Sequence, residues 1–192
     1  MVMDALELLR IQARTAYAWL EMTLCDVTDE QAKWQPPGLA NSIGVTYAHL
    51  VFSADFDVNS RFHGGMPVAA TEFKGDIGLS ELFPGGFGWE ELSRRLQVDW
   101  PKLRKYGAAV HRSIEKRLEA LSASELDRPV DMSIQGLGMW TGLDIYNLHG
   151  IDHPRLHGGE IACLKGLQGV TGWQTGWRRD RSNKRGQKRI LY

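Results

Sequence analysis

Cysteine is scarce: Cys25 and Cys163 are the only two in 192 residues, too few for a disulfide scaffold. No stretch reaches about 18 uninterrupted apolar residues, so no membrane span is expected. Net charge is also lacking, with 23 Lys plus Arg against 23 Asp plus Glu, which leaves no overall field for nucleic acid or a membrane surface. The opening segment, MVMDALELLRIQ, has acids and an arginine where a secretory signal has an apolar core. Neither a repeat nor a strand-like alternation of any length appears. What is present is an ordinary globular composition, 43% apolar and 24% charged, in a chain long enough to bury a core. The chain reads as cytoplasmic.

The zero balance conceals an asymmetry. Residues 171–192 carry seven basic residues (Arg178, Arg179, Arg181, Lys184, Arg185, Lys188 and Arg189) against Asp180 alone, so residues 1–170 are acidic. The expected division is therefore a folded body, 1–170, and a basic tail, 171–192. The tail reads either as a solvated segment or as an arm docked on the acidic body, a second subunit or an anionic ligand. Trp173 and Trp177 favour docking, because indoles are costly to leave in water. No nucleic-acid motif accompanies the cluster, so nucleic acid is not an expected partner.

Four helices are expected. The first runs from about Asp4 to Leu24, with Leu6, Leu9, Ala13, Ala16, Leu20 and Leu24 as its buried stripe and Asp4 as its cap. Thr28-Asp29-Glu30-Gln31 is a capping box for a short turn, which Pro36 and Pro37 bring to a stop. Ser42 opens helix 2, which runs to about Phe62. From His63 to Gly88 seven glycines and two prolines forbid a regular helix, and so long a connection is either functional or a crossover. After a turn near Trp89–Leu96, Pro101 starts helix 3, whose stripe is Leu103, Tyr106, Val110, Ile114, Leu118 and Leu121. Helix 4 runs from about Thr141 to Gly166–Gly169. The expected fold is all-α, a four-helix bundle with a long crossover between helices 2 and 3.

The chemistry sits on helix 4. Its spacing puts Leu143, Tyr146, Gly150, His153, His157, Glu160 and Leu164 on one seam. At 100° per residue, His153, His157 and Glu160 fall within about 60° of one another. The i,i+4 pair presents two imidazoles a turn apart, as a helix presents two metal ligands. A buried polar network is the other reading of such a seam, but aligned neutral imidazoles are well matched to a divalent ion. His49, in the middle of helix 2, is the natural third ligand. His63 lies near the loop, and His111 is expected on a surface or flank of helix 3. His149 extends the row by a turn. Pro154 removes an N–H inside the helix, so a kink or bulge is expected there.

His49, the run His153-Pro154-Arg155-Leu156-His157-Gly158-Gly159-Glu160 and the segments Trp34–Gly38 and Ser42-Ile43-Gly44 resemble the DinB-like (DNA-damage-inducible) metalloprotein superfamily. The mark of that family is one histidine on helix 2 and an H-x3-H-x-G-[QE] run on helix 4. The likeness covers about residues 4–172; His149 and Pro154 depart from the commonest pattern. The resemblance implies a four-helix bundle and a divalent transition metal, Zn or Ni foremost with Fe or Mn as alternatives, held by His49, His153 and His157. It also implies relatives among bacillithiol and mycothiol S-transferases and the mycothiol-dependent maleylpyruvate isomerase. The activity it implies is transfer to a low-molecular-weight thiol cosubstrate. Glu160 would orient an imidazole or accept a proton, or else bond the backbone of helix 1 or 2. A small-molecule substrate and a homodimer complete the implied picture. A metal-dependent hydrolase at the same site and a non-catalytic metal-binding stress protein stand as alternatives.

Four other residues carry weaker expectations. Asp55 and Asp57 are expected on a solvent-facing side of helix 2, with the pocket mouth as their other reading. Arg155 is expected in a surface ion pair or facing an anionic substrate. Cys163 lies about 80° from His153 around the helix, so it is not counted as a ligand. Cys25 is expected as a small buried residue.

Overall fold

Local signals set the helices. Asp4 accepts the Glu7 N–H at 2.7 Å and starts α1, Ala5–Leu24, whose predicted stripe is buried throughout. The Thr28–Gln31 capping box opens the short α2, Asp29–Lys33. Ser42 caps α3, Ile43–Ala54, which passes directly into a π-helical stretch, Asp55–Phe62. This computed structural model describes residues 4–82 and 89–172. The end of the glycine-rich connection (83–88) and the tail from 173, with Trp173 and Trp177, lie outside the described residues.

The crossover holds α4, Val68–Thr71, and α5, Trp89–Arg95. Asp99 caps α6, Trp100–Ala120, with Pro101 in its first turn as expected. A small antiparallel pair follows, β1 (Pro129–Asp131) against β2 (Met139–Thr141), with Val130 opposite Trp140. Strands of three residues are too short to show alternation in sequence. Thr141 and Asp144 form the capping box of α7, Gly142–Asn147. A second π-helical stretch, Leu148–Asp152, leads into α8, His153–Leu167. α1 packs on α8 and α6, and α3 packs on α6 and α8, so the four long elements close into the expected bundle around one apolar core. No described helix is long and apolar enough to cross a membrane.

The bulge expected at Pro154 is present, and its position has a reason. Within the second π stretch the His153 N–H reaches Leu148 O. In that pattern the next carbonyl, that of His149, is due an N–H from Pro154, which has none. The Tyr17 hydroxyl of α1 donates to it instead, at 2.8 Å. The extra residue per turn also rotates everything before it. Leu143, counted into the seam, is 47% exposed, and the buried side of the last helix is Ile145, Tyr146, His149, Ile151, Pro154, Gly158, Ile161 and Leu164.

Four further expectations are corrected. Asp55 and Asp57 are buried, at 0% and 2% exposure, because donors meet them inside the bundle. Asp55 accepts from the Val68 and Ala69 N–H groups (both 2.9 Å), Tyr106 Oη (2.8 Å) and Asn59 Nδ2 (2.8 Å). It thereby ties the start of the crossover to α6. His111 is not a surface residue; its ring lies between Tyr17 and Tyr47, with centroids 4.2 and 6.4 Å away. Cys25 is exposed, because it follows the last buried residue of α1 and turns out of the core.

Candidate metal centre

The packing of α3 on α8 brings His49 beside His153 and His157. The ring centroids form a near-equilateral triangle, with His49–His153 at 5.5 Å, His49–His157 at 5.2 Å and His153–His157 at 5.2 Å. Each ring offers one nitrogen, and these three atoms all lie within 4.8 Å of one another. A grouping that close is compatible with three imidazoles converging on one ion at metal–nitrogen distances of about 2 Å. All three side chains are partly buried.

The electrostatics suit a cation. Burial, with smaller contributions from His157 and His149, pushes the His49 pKa down to about 4. Burial, then the charges of His149, His49 and His157, pushes His153 down to about 2. Both rings are therefore neutral near pH 7 and keep a lone pair for a metal. His153 Nδ1 is buried with no hydrogen-bond partner among the described residues. The donor set fits a divalent transition ion.

The site is supported from several sides. Glu160 Oε2 lies 2.7 Å from His157 Nδ1, which leaves His157 Nε2 for an ion. The Glu160 side chain is 59% exposed, and its hydrogen bond goes to the imidazole, not to the backbone of helix 1 or 2. Trp89 of α5 packs against His49 with centroids 4.9 Å apart and planes tilted by 38°, so the crossover covers the histidine triangle at that edge. Arg155 and Cys163 are exposed, and Cys163 is not in the cluster. His63 is elsewhere, with Nε2 2.8 Å from Tyr146 Oη. A separate cavity of about 300 Å³ between α1 and α6, lined by Tyr17, Glu21, His111 and Ile114, holds none of the three clustered histidines.

Sequence reasoning missed a buried pair below the triangle. His149 Nε2 lies 2.9 Å from Asp57 Oδ2, and Asp57 is also bonded by Arg61 Nε (3.2 Å) and Gln135 Nε2 (3.2 Å). The available signal was positional: Asp57 is two turns beyond His49, and His149 one turn before His153.

The sequence matches the DinB superfamily over residues 12–161. Among solved structures the chain is similar to the crystal structure of a conserved protein from Enterococcus faecalis. The two share 18% identity over 86% of this chain and 98% of that one, with a TM-score of 0.69, a likeness of fold. No curated protein matches the chain. With its helical bundle, its long crossover and a family match over most of its length, the chain belongs to the DinB superfamily.

Proposed function

We propose that the protein is a divalent-metal-dependent enzyme, a thiol S-transferase, with His49, His153 and His157 as ligands. The observation that carries this reading is the triangle of imidazole nitrogens, all within 4.8 Å, presented by two packed helices. When bound, a zinc, nickel, iron or manganese ion held by neutral imidazoles keeps its +2 charge and lowers the pKa of a thiol or water at its open positions.

The chain's own residues do the rest. α3 and α8 fix the ligand geometry through their packing. Glu160 holds the His157 Nδ1 proton and thereby sets which nitrogen faces inward. Glu160 is also the acceptor, through one water, for the proton lost by a low-molecular-weight thiol. The sulfur then forms a bond to an electrophilic carbon of a small-molecule substrate as that carbon's leaving group departs. Trp89 shields His49 from water on its side. The same reading places the protein in the cytoplasm, where Cys25 and Cys163 stay reduced. It also includes a homodimer, supported by Leu8, Ile11, Trp19 and Met22, which α1 turns outward at helical spacing.

Elemental analysis of tag-free wild-type protein beside His153→Ala tests the site. The expected result is about one equivalent of transition metal, lost in the variant. Thiol-dependent consumption of an electrophile then tests the activity. Turnover without thiol would favour a hydrolase. A wild-type protein that holds no metal and takes up neither zinc nor nickel overturns the reading.

A further inference from the structure

Two stretches of widened helix each contribute one member of a buried pair beside His153 of the histidine triangle. Asp57 comes from Asp55–Phe62 and His149 from Leu148–Asp152. Their side chains are 2% and 1% exposed. A carboxylate oxygen only accepts hydrogen bonds, so the His149 proton that meets Asp57 is on Nε2. In the neutral ring Nδ1 then carries a lone pair. That atom is buried and has no hydrogen-bond partner among the described residues. One turn further along, His153 Nδ1 is in the same condition. The two rings are neighbours, with centroids 5.0 Å apart and planes at 89°.

The two orphaned atoms have opposite needs. A His153 that offers Nε2 to an ion carries its proton on Nδ1 and needs an acceptor. His149, with its proton held by Asp57, needs a donor. Buried polar atoms without partners are costly, and these two are complementary. The arrangement also parallels the other α8 ligand, whose Nδ1 already has Glu160 at 2.7 Å.

We propose that Asp57 and His149 are positioning residues for the metal centre. Asp57 fixes the His149 tautomer, and His149 Nδ1 takes the His153 Nδ1–H through one buried water, which aims His153 Nε2 at the ion. Arg61 and Gln135 hold Asp57 in place behind them. The inference rests on the assignment of His49, His153 and His157 as ligands.

The test uses the full chain loaded with zinc. Long-range proton–nitrogen correlation of the histidine rings is expected to show His149 with its proton on Nε2 and His153 with its proton on Nδ1. Competition with a chromophoric chelator is expected to show zinc binding weakened about 10–100-fold in His149→Phe. Asp57→Asn, nearly isosteric, is expected to weaken it in the same direction and to shift the His153 ring resonances. Thermal melting of the metal-free variants separates this effect from unfolding, and Asp57→Asn serves if His149→Phe does not fold. Unchanged zinc affinity in both folded variants, or a His149 proton on Nδ1, overturns the inference alone. So does a cobalt spectrum that loses a ligand in His149→Phe, since His149 would then bind the ion itself. A wild-type chain that takes up no zinc removes the three-histidine assignment and this inference with it.

Discussion

The Tyr17 hydroxyl donates to the His149 carbonyl at 2.8 Å, in the place of the N–H that Pro154 lacks. One residue on α1 thus stabilises the irregular turn from which α8 launches its ligands. Tyr17→Phe leaves that carbonyl unpaired and is expected to cost about 1–3 kcal/mol, measured by urea unfolding of the metal-free protein. Pro154→Ala restores an N–H to the turn. In the Tyr17→Phe background it should therefore cost less than in the wild type, which a double-mutant cycle would show.

What the sequence made legible follows from locality. The caps at Asp4, Thr28, Ser42 and Thr141 act over three residues, and the stripes of α1 and α6 repeat at one period, so both are visible without a structure. His153 and His157 were legible as a pair because a helix converts spacing into a shared face, and His49 because it sits in the middle of a second long helix. Asp57 was not. Its burial depends on a widened turn that no propensity signals, and on Arg61, Gln135 and His149 arriving from three places. Leu143 failed for the same reason, since counting back from His153 at the ordinary period crosses the π stretch and lands on the wrong face. His111 misled because it follows Val110 of the stripe, yet Tyr17 of α1 closes over it.

Asp55 anchors the crossover, and removing it should release that segment before the bundle. Asp55→Ala leaves the Val68 and Ala69 N–H groups and the Tyr106 hydroxyl without their acceptor. A loss of about 3 kcal/mol or more is expected, since several buried donors are orphaned at once. Hydrogen exchange should speed up most at α4. Uniform acceleration across α1, α6 and α8 would contradict an anchoring role.

His111 predicts an acid sensitivity with a definite sign. Burial is the largest cause holding its pKa near 4, partly opposed by Glu21, whose Oε1 lies 3.6 Å from Nδ1. The unfolded chain titrates near 6.5. Above that value both states are neutral and the full stability is present. Between about 6.5 and 4 the unfolded state binds the extra proton, so stability falls as pH falls, by about 1.4 kcal/mol per pH unit for this one group. The loss ends once the folded ring also protonates. Metal-free His111→Gln should therefore show a shallower decline in unfolding free energy over that window than wild type. Parallel declines would refute the assignment.

Glu160 separates orientation of a ligand from stability of the fold. Its contact with His157 is short, at 2.7 Å, but its side chain is 59% exposed, so the bundle has little to lose from its removal. Glu160→Ala is expected to leave the metal-free protein within about 0.5 kcal/mol of wild type. It should weaken zinc binding by about tenfold, the lower end for an outer carboxylate, because water can take over an exposed hydrogen bond. Glu160→Gln keeps an acceptor for the His157 N–H and should recover most of that affinity. It does not recover a proton acceptor, so in a thiol-transfer assay Glu160→Gln should bind metal almost normally and still turn over slowly. Equal loss of affinity in both variants would assign the effect to charge, and full activity in Glu160→Gln would remove Glu160 from proton transfer.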